Sequence, residues 1–393
     1  MTLPPVAARL GQLPPYPLAL LNQRVRELTS QGIDVINVDV GSPDMPPPAN
    51  VVDVLATSAR LSNTHGYSGY RGLPAFRKAV AEYYARRFGV SLDPDRQVLP
   101  LLGSKEGIVN LCLAYLDRGD RALVPDIGYP SYSMGAYLAG ADATFVPFPE
   151  ELGFHIDFDR IRPEEAQAAK LLWVNYPNNP TGAVADLAHY QRAVDFCREY
   201  GLLLATDNPY VDVTYDGHVA PSVMQAEGGM DCAIEFVSFS KTYNMAGWRL
   251  GAAVGSPEVI ENLLQVKSNV DSGHFIPIYE AGVEAIHNVP QGWIDERNSH
   301  YQRRRDRMLQ ALPDAGLDPY PAQGALYVWA KVRDERMTGS DYAQAALSSA
   351  HVSMAPGIIY GPGGDRFVRL SVCVPDARLE EALTRLKTWY AGR

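Results

Sequence analysis

The sequence predicts an α/β protein with a large domain, built on a mostly parallel mixed sheet flanked by helices, and a smaller α+β domain. Two observations favour this class. Short apolar runs alternate with segments of helical periodicity between residues 74 and 290, the order of elements found in doubly wound sheets. Beyond residue 290 a long polar helical pattern replaces the alternation. A chain of 393 residues with 46% hydrophobic content can also bury the cores of two domains.

The elements of the large domain are predicted in chain order. A helix opens with Pro74 and ends before Gly89, because proline suits the first helical turn and glycine the left-handed cap. A strand near Gln97–Leu102 leads into a helix from Ser104 to about Asp117. Helices fill most gaps between the remaining apolar runs. These runs predict strands near Arg121–Val124, Ala143–Val146, Lys170–Val174, Leu202–Thr206, Ala233–Val237 and Leu250–Val254.

The C-terminal part predicts the smaller domain, joined by residues from roughly Tyr16 to Val40. We therefore expect residues 1–45 to form an N-terminal arm and part of the small domain, 46–290 the large domain, and 291–393 the small domain. The basic cluster Arg303–Arg305 with Arg307 is expected to be a solvated helix face. The predicted elements are a long polar helix after Pro290, strands near Ala325–Ala330 and Phe367–Ser371, and a final helix from about Asp376.

Composition excludes several classes of partner. The formal net charge of −10 argues against nucleic acid or an anionic membrane. No run of eighteen apolar residues and no signal-peptide pattern is present, so we expect a cytoplasmic protein. The four cysteines form no Cys-x-x-Cys pair and the eight histidines no His-Glu-x-x-His motif. A reducing compartment is therefore favoured, and no metal site is predicted.

Lys241 follows the apolar run Ala233–Val237 in the segment Ser238-Phe-Ser-Lys. Burial makes an ammonium lose its proton more readily, and the resulting amine is the form that makes a Schiff base with an aldehyde. Ser238, Ser240 and Arg249 could hold a phosphate beside it. An aldehyde that carries a phosphate and needs a lysine imine is pyridoxal 5′-phosphate (PLP). The alternatives are a surface lysine or the Ser-x-x-Lys of penicillin-binding enzymes, but the latter also need Lys-Thr-Gly, which the sequence lacks.

Two further motifs suit the same chemistry. Asp207, in Asp-Asn-Pro-Tyr210, ends a predicted buried strand, where its carboxylate can pair with a protonated pyridine nitrogen and Tyr210 can reach the cofactor's phenolic oxygen. Asn179, in Asn-Pro-Thr-Gly182, stands in a stiff turn that can aim its amide at the same ring oxygen. Taken singly, Asp207 could be a helix N-cap and the turn an ordinary strand-to-helix loop.

The motifs Asn179-Pro-Thr-Gly, Asp207-x-x-Tyr and Ser238-x-x-Lys, followed by Arg249, resemble those of fold-type I, class I/II aminotransferases in order and spacing. The resemblance runs from about Leu13 almost to the C-terminus and implies the PLP-dependent transferase fold. The segments Leu13-Pro-Pro-Tyr-Pro-Leu and Lys267-Ser-Asn-Val-Asp-Ser-Gly further resemble the LL-diaminopimelate aminotransferase-like branch. The segment that begins at His274 departs from that branch's pattern.

The phosphate of the cofactor has a second candidate binding segment, Gly103-Ser-Lys-Glu-Gly107, at the start of a helix. Small residues let backbone N–H groups approach an anion that the helix dipole favours. By resemblance, Gly103, Ser104 and Lys105 join Ser238, Ser240 and Arg249 around the phosphate, although Arg249 could instead form a structural ion pair.

The resemblance also assigns aromatic residues. Tyr132 corresponds to the ring that stacks on the pyridine face, with Tyr129 as the fallback and a core position as the alternative for both. Tyr67 corresponds to a tyrosine that reaches the phosphate from the other subunit. The resemblance therefore implies a homodimer with shared active sites.

Arg369, in Phe-Val-Arg-Leu-Ser371, is predicted to bind the substrate's α-carboxylate, because a guanidinium fork grips a carboxylate bidentately. The alternative is a solvated arginine on an edge strand. By resemblance, the Gly41 backbone and the Asn179 amide contact the same substrate, and Asn269 reaches its distal polar group across the dimer.

The implied activity is ping-pong transamination between an L-amino acid and a 2-oxo acid such as 2-oxoglutarate, through pyridoxamine phosphate. Lys241 acts as general base and then acid, assisted by Asp207 and Tyr210. LL-diaminopimelate is the donor that the branch suggests, while aspartate, alanine, methionine and aromatic amino acids remain open. A C–S β-lyase or decarboxylase would use the same residues. A ligand-sensing regulator would need an appended DNA-binding domain, for which we expect no spare N-terminal length. A Rossmann enzyme would need Gly-x-Gly-x-x-Gly after the first strand, and the sequence lacks this motif.

Overall fold

The computed structural model describes residues 3–13 and 17–393. Pro14, Pro15 and Tyr16, which belong to the N-terminal branch motif, lie outside the described residues. The strands, in chain order, are β1 (Ile36–Asn37), β2 (Val98–Leu101), β3 (Arg121–Pro125), β4 (Asp142–Val146), β5 (Ala169–Val174), β6 (Leu203–Asp207), β7 (Ala233–Ser238), β8 (Gly251–Gly255), β9 (Leu317–Pro319), β10 (Tyr327–Val332), β11 (Val352–Ser353), β12 (Ala355–Pro356) and β13 (Phe367–Ser371).

Helices occupy most of the segments between the strands. They are α1 (Pro17–Ser30), α2 (Ala49–Ser58), α3 (Pro74–Phe88), α4 (Ser104–Tyr115), α5 (Ser131–Ala139), α6 (Pro163–Gln167), α7 (Leu187–Tyr200), α8 (Gly229–Cys232), α9 (Phe239–Thr242), α10 (Pro257–Lys267), α11 (Ile276–Asn288), α12 (Gln291–Ala311), α13 (Gly339–Ala345) and α14 (Asp376–Ala391). The predicted helix between Pro74 and Gly89 is confirmed, with Gly89 in the left-handed region at φ 69°.

The large unit is a seven-stranded sheet in the order β2-β8-β7-β6-β5-β3-β4. Its strands run parallel except for β8, which is antiparallel to both of its neighbours. The predicted mostly parallel mixed sheet is therefore confirmed. All seven predicted strands of this sheet are present, with no end shifted by more than one residue.

Helices cover both faces of this sheet, because successive side chains of a strand point to opposite faces and those of the central strands are apolar on both. On β5, Leu171 and Trp173 pack into a core formed with α4, α5 and α10. Leu172 and Val174 face the opposite core, formed with α3, α7 and α11. The two layers of helices leave the carboxyl-terminal edge of the parallel strands open to the smaller unit.

The smaller unit combines a four-stranded antiparallel sheet, β12-β13-β10-β9, with the parallel pair β1-β11. Its core, packed against α12, α13 and α14, contains residues from both ends of the chain, such as Ile36 and Leu370. The N-terminal segment thus joins the C-terminal part, as the sequence suggests. This arrangement supports the division near residues 45 and 290, which stays a prediction.

The basic cluster on α12 corrects the sequence-based interpretation. Arg303 and Arg307 are exposed, but Arg304 and Arg305 are buried. Arg304 donates to Asp44 and to the carbonyl oxygen of Val372. Arg305 donates to both carboxylate oxygens of Asp216. The cluster therefore joins segments that are distant in sequence, because this face of the helix is covered by carboxylates from elsewhere in the chain.

Candidate active site

A cavity of about 360 Å³ lies where the large sheet meets the smaller unit. Most of its lining comes from loops that follow the carboxyl ends of β2, β5, β6 and β7, the edge where open α/β sheets bind ligands. The lining residues are Gly41, Ser104, Lys105, Tyr129, Asn179, Asp207, Pro209, Tyr210, Ser238, Ser240, Lys241, Ala246, Arg249, Tyr327 and Arg369.

Lys241 lies on the short helix α9, directly after β7. Its Nζ donates a hydrogen bond to the carbonyl oxygen of Gly41, and Arg297 Nη1 donates to the main-chain oxygen of Lys241 at 2.8 Å. Burial lowers the pKa of Lys241 from 10.5 to about 8. About a tenth of this amine is therefore unprotonated at pH 7, in the form that a nucleophile or general base requires.

Asp207 is the last residue of β6 and is almost fully buried. Its Oδ2 accepts a 2.9 Å hydrogen bond from the hydroxyl of Tyr132, whereas its buried Oδ1 has no partner among the described residues. Burial raises the pKa of Asp207 from 3.8 to about 7, and the hydroxyls of Tyr132 and Ser104 counteract part of that increase. A cationic ring nitrogen of PLP would supply the partner that Oδ1 lacks, so this carboxylate fits the group.

One corner of the cavity is basic and rich in hydrogen-bond donors. Lys105 and Arg249 both line it, and burial together with the Arg249 charge lowers the pKa of Lys105. Ser104 begins α4, while Ser238 and Ser240 add hydroxyls, of which Ser240 Oγ is buried without a partner among the described residues. Two neighbouring cations at a helix N-terminus suit a phosphate.

Position 103 in this corner requires a glycine. It has φ +80°, and a Cβ at this position would overlap the guanidinium of Arg249. Arg249 Nη1 donates to the carbonyl oxygen of Ala246 at 2.9 Å, which helps to fix the side chain. The backbone of Gly103 and the Arg249 guanidinium can therefore approach the same anion.

Arg369 is buried on β13, an interior strand of the antiparallel sheet, so the edge-strand alternative is excluded. Its Nη1 donates to Asn179 Oδ1 at 3.0 Å, and its Nη2 donates to the main-chain oxygen of Asp39 at 2.6 Å. The guanidinium carbon lies 3.9 Å from the ring centroid of Tyr327 and 4.9 Å from that of Tyr360. Contact with these two aromatic rings, together with the two hydrogen bonds, restricts the movement of the guanidinium at the cavity wall.

Asn179 and Tyr210 also line the cavity. Asn175 aligns the loop of Asn179 with β6, because its Oδ1 accepts from the Asn179 N–H at 2.8 Å and its Nδ2 donates to the main-chain oxygen of Asp207 at 2.5 Å. The hydroxyls of Tyr210 and Tyr327 are 2.8 Å apart. These contacts place the amide and the phenol on the same side of the cavity as Arg369.

The structure corrects the assignment of the stacking ring. Tyr132 is fully buried outside the cavity lining, where it stacks on Trp173 with centroids 4.8 Å apart and supports Asp207. Tyr129 lines the cavity instead. Because α5 begins at Ser131, Tyr129 lies in the preceding loop while Tyr132 faces the sheet. Tyr132 is thus a positioning residue for the carboxylate.

Two predicted site residues lie outside the cavity of their own chain. The side chain of Tyr67 is 90% exposed, and Asn269 is exposed with its Nδ2 donating to the Gln265 carbonyl oxygen. Both assignments require a second subunit and stay predictions. Within residues 3–13 and 17–393, no group of three or more His, Cys, Asp or Glu side chains is arranged to hold a metal ion. In the same ranges, no helix is both long and apolar enough to span a bilayer.

Sequence reasoning missed three residues that complete the site. Tyr327 was located only as part of a strand, although it contacts both Tyr210 and Arg369. Arg297 was one of many charges on a polar helix, and Asp39 contributes only a main-chain oxygen. A weak signal existed for Tyr327, since aromatic residues alternate with smaller apolar ones along its strand. The other two contacts depend on tertiary packing alone.

Comparisons with known proteins agree over nearly the whole chain. The family model "Aminotransferase class I and II" matches residues 33–386. The LL-diaminopimelate aminotransferase of Moorella thermoacetica is 43% identical over 381 residues, which cover 97% of each chain. The substrate-bound structure of BacF from Bacillus subtilis has a TM-score of 0.93 at 34% identity, covering 99% of this chain and 98% of that one. A probable N-succinyldiaminopimelate aminotransferase from Thermus thermophilus has a TM-score of 0.89, also at 34% identity, covering 95% and 99%.

Proposed function

This chain belongs to the class I and II aminotransferase family of PLP-dependent, fold-type I enzymes, and we propose that it transfers an amino group from LL-diaminopimelate to 2-oxoglutarate. The observation that carries the choice of donor is the 43% identity, over 97% of both chains, with an LL-diaminopimelate aminotransferase. A relative from Aquifex aeolicus with the same name is 42% identical over 96% of this chain. The aspartate aminotransferase of Thermus thermophilus, by comparison, is 28% identical to this chain.

The cavity supports a substrate that is bound by its α-carboxylate. Arg369 is the buried cation that faces Asn179, and its contacts with Tyr327 and Tyr360 restrict its movement where it meets a carboxylate. Gripping the α-carboxylate there leaves the rest of the amino acid to extend toward the open part of the cavity. In this proposal Asn269 of a second subunit contacts the distal polar end.

The residues of the chain divide the chemistry between them. PLP, when bound, supplies an aldehyde carbon and an electron-accepting ring. Lys241 Nζ removes the proton from the substrate Cα, and its pKa of about 8 lets it exchange that proton near neutral pH. Asp207 Oδ1 would pair with the protonated ring nitrogen, while Arg369, by fixing the carboxylate, would select which Cα bond is broken.

The corner formed by Gly103, Ser104, Lys105, Ser238, Ser240 and Arg249 would hold the phosphate, and Tyr129 would cover one face of the ring. We propose in addition that the protein is a cytoplasmic homodimer in which Tyr67 completes the partner's phosphate site. The exposure of Tyr67 in a single subunit supports this arrangement.

A single-turnover spectral screen tests the donor. The PLP-loaded enzyme is mixed separately with LL-diaminopimelate, N-succinyl-LL-diaminopimelate, aspartate, alanine, methionine and phenylalanine, and the loss of the cofactor's visible absorption is timed. We expect LL-diaminopimelate to bleach the band fastest. Faster bleaching by any other donor, with LL-diaminopimelate inert, would reject the proposed substrate while leaving the aminotransferase assignment intact.

Product analysis separates transamination from lyase or decarboxylase chemistry. We expect glutamate to form from 2-oxoglutarate in equal amount to donor consumed, without release of ammonia or carbon dioxide by the enzyme. The matched control is Lys241→Ala, which should lose the lysine-linked absorption band and lower turnover by about 10²–10⁴-fold or more. Normal turnover by this variant would contradict the role of the lysine.

A further inference from the structure

Lys267 is a buried cation outside the cavity. It is the last residue of α10, its side chain is only 2% exposed, and its Nζ lies 2.6 Å from Asp271 Oδ2 and 3.5 Å from Glu106 Oε2. The two carboxylates are themselves 13% and 15% exposed. Three charged groups thus meet where solvent is almost excluded, in a place that the mechanism does not use.

Glu106 connects this group to the phosphate corner. It lies in the first turn of α4, directly after Ser104 and Lys105, and its Oε2 accepts from the Leu102 N–H at 3.0 Å. The carbonyl oxygen of the same Leu102 lies 3.4 Å from Arg249 Nη2. The peptide groups that lead into the helix are therefore held from one side by Glu106 and from the other by Arg249.

Asp271 connects the group to the segment that contains Asn269. Its Oδ1 accepts from the Gly273 N–H at 2.8 Å. The next residue, His274, contacts the Leu101 carbonyl oxygen through Nε2 at 3.2 Å, so the turn after α10 returns to the end of β2. Lys267 joins the two turns, one that meets the cofactor and one that carries a predicted contact to the second subunit.

Stability alone does not explain three buried charges. Well-packed apolar residues of similar volume usually stabilise a protein as much as a buried ion triad or more, because desolvation offsets the Coulomb attraction. What the triad adds is a defined geometry at the carboxylate that binds Leu102. Burial raises the pKa of Glu106 and Lys267 opposes that increase, so the lysine keeps Glu106 an acceptor for the Leu102 N–H.

We propose that Lys267, Glu106 and Asp271, here called the Lys267 cluster, are positioning residues that set the Leu102–Lys105 turn for binding the PLP phosphate. The inference rests on the proposed function, since it assigns that turn to the cofactor. It adds residues that touch neither cofactor nor substrate and that control how tightly the cofactor is held.

The test measures PLP affinity of the apoenzyme, by titration of cofactor absorption and fluorescence, beside the thermal midpoint of the apoenzyme. In Lys267→Met we expect the dissociation constant for PLP to rise about tenfold or more, because the phosphate donors are displaced. The matched control is Lys78→Met, since Lys78 forms an i,i+4 ion pair with Glu82 on α3 and is 73% exposed. We expect this control to bind PLP like the unmodified enzyme.

The double variant Lys267→Met with Glu106→Gln removes both charges of one contact and should recover part of the lost affinity. A purely structural role would lower the thermal midpoint of Lys267→Met and leave the dissociation constant of its folded apoenzyme unchanged, which would overturn the proposal. If Lys267→Met does not fold, Glu106→Gln provides the decision: an unchanged dissociation constant rejects the proposal, and a raised one supports it. PLP binding and turnover by the unmodified enzyme test the proposed function separately.

Discussion

At Asp207, the ionised carboxylate that the proposed chemistry uses lowers the stability of the folded apoenzyme. Burial raises the pKa of its carboxyl from 3.8 to about 7, so the folded apoenzyme binds a proton there more tightly than the unfolded chain does. The stability associated with that proton is complete below the unfolded pKa, declines as the pH rises toward 7, and is fully lost above it. The difference between the two pKa values corresponds to about 4 kcal/mol.

We therefore expect Asp207→Asn to stabilise the apoenzyme in a pH-dependent way. Asparagine avoids the buried negative charge, so the gain in free energy of unfolding should be larger at pH 8, up to about 4 kcal/mol, than at pH 5. Urea unfolding of the apoenzymes at both pH values checks this. The same variant should bind PLP more weakly. An equal effect on stability at both pH values would show that Asp207 is not the titrating group.

Tyr327 has two separable contacts, a hydroxyl on Tyr210 and a ring beneath Arg369. Tyr327→Phe removes only the hydroxyl, so we expect kcat to fall about fivefold, the value of one neutral hydrogen bond, with KM for the amino donor nearly unchanged. Tyr327→Leu also removes the ring and should raise KM about fivefold or more, because the guanidinium loses its stacking partner. Steady-state kinetics of both variants distinguishes the contacts, and an identical kinetic pattern in the two would contradict the separation.

At the scale of elements, the start of α4 depends on a residue without a side chain. Gly103→Ala introduces a Cβ at φ +80° and against the Arg249 guanidinium. Gly89→Ala is the matched control, because Gly89 has φ +69° but no atom within 4 Å of an added Cβ. Both variants should lose about 1 kcal/mol of stability from backbone strain.

Only Gly103→Ala should also weaken PLP binding, by about tenfold or more, since only there is the phosphate corner displaced. Titration of each apoenzyme with PLP gives the comparison. Equal PLP affinity in the two alanine variants would place the phosphate elsewhere in the cavity.

Elements were predictable where local pattern dominates. Each strand of the large sheet is an apolar run between turn residues, so strands such as β5 and β6 were located within two residues. The short strands β1, β9, β11 and β12 were not predicted, because two or three residues carry no periodicity and are strands only by virtue of their partners.

The site was predictable in its motifs and not in its packing. Asp207 ends β6, Lys241 follows β7, and Arg249 precedes β8. Because β8 is antiparallel to β7, it begins at the edge where β6 and β7 end, so topology alone brings the three residues to one edge. Which of Tyr129 and Tyr132 faces the cavity depends on where α5 begins, and that boundary is the least defined feature of a sequence pattern. The burial of Arg304 likewise depends on carboxylates that are remote in sequence.

For the whole molecule, the proposed sharing of active sites between two subunits makes a quantitative prediction. A Lys241→Ala subunit and a Tyr67→Ala subunit are each expected to form impaired homodimers. A mixed dimer contains one site with the lysine of one subunit and the tyrosine of the other, both intact. Random reassociation of equal amounts should thus restore about a quarter of the unmodified activity.

Subunit exchange in mild denaturant followed by an activity assay provides the measurement. The control mixes each variant with itself under the same conditions and should show no recovery. If the mixture has only the summed activity of the two homodimers, Tyr67 serves its own chain or has no role in the site, and the shared-site arrangement is rejected.

The contact between Arg369 and the main chain of Asp39 joins residues 330 positions apart, and Gly41 of the same early segment accepts from Lys241. A ribosome therefore releases two contacting segments of the cavity at very different times, the Asp39–Gly41 segment early and β13 more than 300 residues later. A nascent chain halted before β13 carries Lys241 but lacks Arg369, the residue that we propose orients the amino acid beside it. The contact that joins these two segments can thus form only after β13 has been synthesised.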